Sequence, residues 1–69
     1  MSPMDPKEIF ELIIKADEKL KYATDQNAAL RRDQARALLE QARDAAREAG
    51  IEPIAQQAET RLADLDLEA

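Results

Sequence analysis

The sequence predicts an all-α fold of three antiparallel helices, at about residues 5–23, 27–49 and 53–65, on three observations. The first is composition: alanine, leucine, glutamate, arginine, glutamine and lysine dominate, while glycine occurs once and aromatic residues twice, a balance that favours helix. The second is period: apolar residues recur at 3.6-residue spacing and no stretch alternates with period two, so no sheet is expected. The third is punctuation, with capping and breaking residues at Asp5-Pro6, Thr24–Asn27 and Gly50–Pro53.

Helix one has a defined start. Asp5 is a good N-cap, Pro6 suits the first helical position, and Glu8 lies three residues after the cap. Ile9, Leu12, Ile13, Ala16, Leu20 and Ala23 then fall on one face. Lys7–Glu11, Glu11–Lys15 and Asp17–Lys21 are spaced as i,i+4 pairs on the outer surface. Phe10 and Ile14 fit neither face, being one turn apart and rotated roughly 100° or more from the centre of the apolar stripe.

The turn Thr24-Asp25-Gln26-Asn27 offers Thr24, Asp25 or Asn27 as the N-cap of helix two. Helix two buries Ala28, Ala35, Leu38, Leu39, Ala42, Ala45, Ala46 and Ala49, a face whose small side chains let neighbouring helices come close. Gly50 suits the left-handed residue that ends many helices. Pro53 opens helix three, whose inner face is Ile54, Ala55, Ala58, Leu62 and Leu65. A connection this short makes helices two and three antiparallel neighbours. Residues 1–69 read as one small domain, with 1–4 and 66–69 expected to fray.

Composition bounds function. A 69-residue chain without cysteine or histidine has no disulfide framework, no thiolate or imidazole ligand, and no such nucleophile or base. Catalytic residues, metal ligands and cofactors are therefore expected to be none. The net charge of −5 disfavours nucleic acid and anionic lipid. No apolar run approaches a membrane span, and Met1–Pro6 has neither the basic region nor the apolar core of a secretory signal. The expected location is the cytoplasm. A core this small stabilises a fold by only about 3–5 kcal/mol, so a partner chain or self-association is a natural supplement.

Helix two also carries Ala35-x-x-x-Leu39-x-x-Ala42. This spacing resembles the second helix of a tetratricopeptide repeat, in which small, large and small residues recur at those intervals. The stretch from Ala35 to Leu65 looks like the helical repeats in the C-terminal arrays of large bacterial transcriptional regulators, and covers roughly half of the chain. The resemblance implies a tetratricopeptide-like packing, a protein-interaction role without catalysis, and a partner to cover an open face.

Two surfaces are candidates for function. Phe10 and Ile14, with Ile13, are the candidate partner-binding residues of helix one, for a second copy or another protein. Helix three either covers Phe10 and Ile14 or leaves them open, depending on whether it packs against helix one or only against helix two. The alternative surface is a basic stripe on helix two, Arg32, Arg36, Arg43 and Arg47, within roughly 60° of one another on the helical wheel. It would suit nucleic acid or an acidic partner. Asp33, Glu40 and Asp44 are spaced to neutralise it, and no aromatic residue interleaves to stack on bases. Tyr22 is expected to rest its ring at the core edge, and Ser2 and Thr60 have no evident catalytic partner.

Overall fold

The computed structural model describes residues 4–68. Three helices follow one another, α1 (Pro6–Lys21), α2 (Ala28–Ala49) and α3 (Glu52–Glu68), and no strand occurs among the described residues. The molecule measures 38 × 20 × 16 Å. Its long axis is close to the rise of α2, which at about 1.5 Å per residue sets the length of the bundle.

Local chemistry accounts for most boundaries. The Glu8 N–H donates to Asp5 Oδ1 at 3.0 Å, satisfying one of the free donors that any helix start leaves. Of the three candidate caps for α2, Asn27 takes the position, yet its side chain makes no cap bond there. Its Oδ1 instead accepts from the Thr24 N–H at 2.6 Å, so Asn27 closes the turn behind it. That turn begins earlier than expected: α1 ends at Lys21 with Tyr22 as its cap, leaving Ala23 outside the helix.

At the other end of α2, Gly50 has φ 74° and ψ 26°. The Ile51 N–H donates to the Ala46 carbonyl at 2.8 Å and the Gly50 N–H to the Arg47 carbonyl at 3.1 Å, the paired bonds of a Schellman closure. Ile51 packs on the core immediately beyond it, so the reversal is fixed by both hydrogen bonding and burial. α3 starts one residue before the expected 53 and continues to Glu68, past the expected 65. Within this extension Leu67 is 84% exposed. The expectation of fraying also covers residues 1–3 and 69, which, with Ser2 among them, lie outside the described residues.

The core is built from Ile9, Ile13 and Ala16 of α1, Ala35, Leu39, Ala42 and Ala46 of α2, and Ala55, Ala58 and Leu65 of α3. Leu12, Leu20, Leu38, Ile54 and Leu62 pack around it half-buried. Six of the ten buried side chains are alanines, so close backbone approach replaces bulk as the source of contact. α2 packs along its length against both other helices, whereas α1 and α3 meet sparingly. α3 therefore leans on α2, and the outer side of α1 is left open.

Candidate functional site

That asymmetry decides the fate of the helix-one residues. Phe10 is 40% and Ile14 is 42% exposed. They lie one turn apart on α1, on the same side of the helix. Ile13 is a correction: it is fully buried, a core residue alongside Ile9 and Ala16. One residue is a rotation of about 100° on a helix, enough to carry Ile13 from that side into the interior.

The basic stripe is arranged differently from the intrahelical pairing its spacing suggests. Arg36 Nη1 lies 2.7 Å from Asp66 Oδ1 of α3, and Arg47 pairs with Glu59 of α3. Arg43 Nε meets its sequence neighbour Asp44 at 3.0 Å. Asp33 and Glu40 take no part in ion pairs among the described residues. The Asp66 carboxylate, through its hydrogen bond to the guanidinium, raises the Arg36 pKa above its ordinary value. Arg32 is half-buried at the start of the stripe. Two of the four arginines, Arg36 and Arg47, thus reach across to carboxylates of α3, where a planar guanidinium can meet a carboxylate.

A fourth pair joins α1 to α3. Arg61 Nε donates to Asp17 Oδ1 at 3.0 Å and Oδ2 at 3.2 Å, and Arg61 Nη1 donates to the Gln57 carbonyl at 3.4 Å. Asp17 is therefore held by α3 and not by Lys21. A hollow of about 410 Å³ opens beside this pair, lined by Asp17, Leu20, Thr60, Arg61, Asp64 and Leu65. Its one cation is already paired with Asp17 while Asp64 takes no part in an ion pair among the described residues, and the Thr60 hydroxyl donates to the Gln56 carbonyl at 2.9 Å.

A larger groove of about 610 Å³ lies on the opposite side, between α1 and α2. It is lined by Lys15, Glu18, Lys19, Tyr22, Arg31 and Leu38. Tyr22 does not rest on the core edge as expected; it is 65% exposed, with Lys21 Nζ 5.5 Å from its ring centroid. Sequence reasoning missed this groove, because Lys15 was assigned to Glu11 along α1 and Arg31 falls outside the basic stripe. The available signal was Arg31 and Leu38, seven residues apart on the face of α2 turned to α1. Among the described residues, Arg31 Nε–H and Gln34 Oε1 are buried without a partner. They are a donor and an acceptor one turn apart, within reach of each other by side-chain rotation.

No group of acidic residues among those described could hold a metal ion, and no helix is long and apolar enough to cross a membrane. Comparison of the chain with protein-family models, curated sequences and solved structures returned no match.

Proposed function

We propose that this chain is a non-catalytic helical interaction module that self-associates, or docks a partner protein, through the α1 face carrying Phe10 and Ile14. One observation carries the reading: two large apolar side chains one turn apart are each about two-fifths exposed, on a chain whose core is mostly alanine. A domain this small gains stability from covering such a patch, at roughly 25 cal/mol per Å² of apolar area removed from water. The tetratricopeptide-like reading is supported by Ala35, Leu39 and Ala42, which are all buried. Close packing of any three alanine-rich helices asks the same of those positions. The alternative, nucleic-acid or acidic-partner binding on the basic stripe, would first have to displace Asp66, Asp44 and Glu59 from its arginines.

Sedimentation equilibrium over a wide concentration range, on the wild type and on Phe10→Glu, tests the proposal. A wild-type dimer and a folded, monomeric variant are expected. A variant that unfolds would make Phe10 a core residue, and a wild type that stays monomeric would remove self-association.

A further inference from the structure

The cations of this protein fall into two sets. Arg36, Arg43, Arg47 and Arg61 each hold a carboxylate. Lys7, Lys15, Lys19, Lys21, Arg31 and Arg32 hold none among the described residues, and three of these six, Lys15, Lys19 and Arg31, line the α1–α2 groove, where Glu18 is the one acidic residue of the lining. An acidic chain of net charge −5 thus presents a locally cationic cleft with Leu38 and Tyr22 as its apolar surface.

From this geometry we infer that the α1–α2 groove binds a short acidic peptide segment of a partner protein, with carboxylates on Lys15, Lys19 and Arg31 and an apolar side chain against Leu38 and Tyr22. Charge complementarity selects the ligand's sign. The apolar surface selects its kind: a segment mixing carboxylates with an aliphatic side chain can place each group, whereas a polyphosphate backbone has no use for Leu38. Arg31 Nε is buried, so the terminal guanidinium nitrogens are what a carboxylate would meet, in the bidentate manner that arginine favours. Neither Phe10 nor Ile14 lines this groove.

Tyr22 is the one tyrosine of a chain without tryptophan, so its fluorescence reports on this groove alone. The experiment titrates the full chain with a blocked peptide in which one leucine is flanked on both sides by aspartates. Inorganic phosphate and a thymidine oligonucleotide are run in parallel, and circular dichroism establishes that each variant is folded. A saturable change in Tyr22 emission is expected with the peptide. It should weaken about tenfold in Arg31→Gln, which removes one charge-assisted contact, weaken with added salt, and persist in Lys7→Gln. If Arg31→Gln does not fold, the double variant Lys15→Gln/Lys19→Gln carries the same expectation. No saturable change, an affinity indifferent to these groove substitutions, or tighter binding of phosphate or oligonucleotide than of peptide would each overturn the inference.

Discussion

At the scale of single residues, hydrogen bonds at the helix ends have consequences that solution measurements can read. The Glu8 N–H, donating to Asp5, holds the Asp5 carboxyl below its ordinary pKa. A carboxyl whose folded pKa is depressed contributes stability that is fully present above its unfolded pKa and is lost as pH falls through the folded value. Asp5→Ala should therefore melt below the wild type at neutral pH, with the gap narrowing as the solution is acidified through the carboxylate range. Thermal melts followed by circular dichroism check this, and a gap independent of pH would refute it. Asp5 was legible in the sequence because a cap is a contact between residues three apart. The exposure of Phe10 and Ile14 was not, because it depends on where a distant helix lies.

At the scale of elements, the α2–α3 reversal depends on one backbone conformation. Gly50 sits at positive φ, and a Cβ built there would meet nothing within 4 Å. The cost of substitution is thus conformational and not steric crowding from neighbours. An L-residue in the left-handed region costs about 1–2 kcal/mol, partly offset by about 0.4–1 kcal/mol from the reduced entropy of the unfolded chain. Gly50→Ala should lower stability by roughly 1 kcal/mol in urea unfolding, and Gly50→Asn by less, since asparagine tolerates this region. Equal stability of Gly50→Ala and the wild type would show that the reversal does not need the glycine. The helices and their main apolar faces were legible because both obey a short period. The ends of α1 and α3 shifted by two or three residues, since Tyr22 caps the first helix and nothing in Asp66-Leu67-Glu68 breaks the last.

At the scale of the whole molecule, stability rests on a thin core whose central helix must be approached closely from both sides. Ala42 is fully buried in that core. Ala42→Leu would add bulk where backbones are close, a change that costs about 1–3 kcal/mol. Against the roughly 3–5 kcal/mol that a core of this size provides, the variant should be largely destabilised, read as a fall in the urea midpoint. An unchanged midpoint would mean that the helices can separate freely at this layer. The same thinness gives weight to the pairs Arg36–Asp66 and Arg61–Asp17, which tie α3 to the other two helices. Each is solvent-exposed enough that about 0–1 kcal/mol is the appropriate scale; they orient more than they stabilise.

What the sequence by itself determined was the three helices, their order and antiparallel course, the caps at Asp5 and Gly50, and nearly all of the buried positions. These follow from contacts within a turn or from a repeat of 3.6 residues. What only the tertiary structure decided was the placement of α3 against α2 with little against α1. That placement left Phe10 and Ile14 partly exposed, brought Arg36 and Arg47 to carboxylates of α3, and left Lys15, Lys19 and Arg31 along the opposite groove. Helical period sets which face of a helix is apolar. Which neighbour covers the rim of that face depends on the angles at which three helices pack, a property of all of them together.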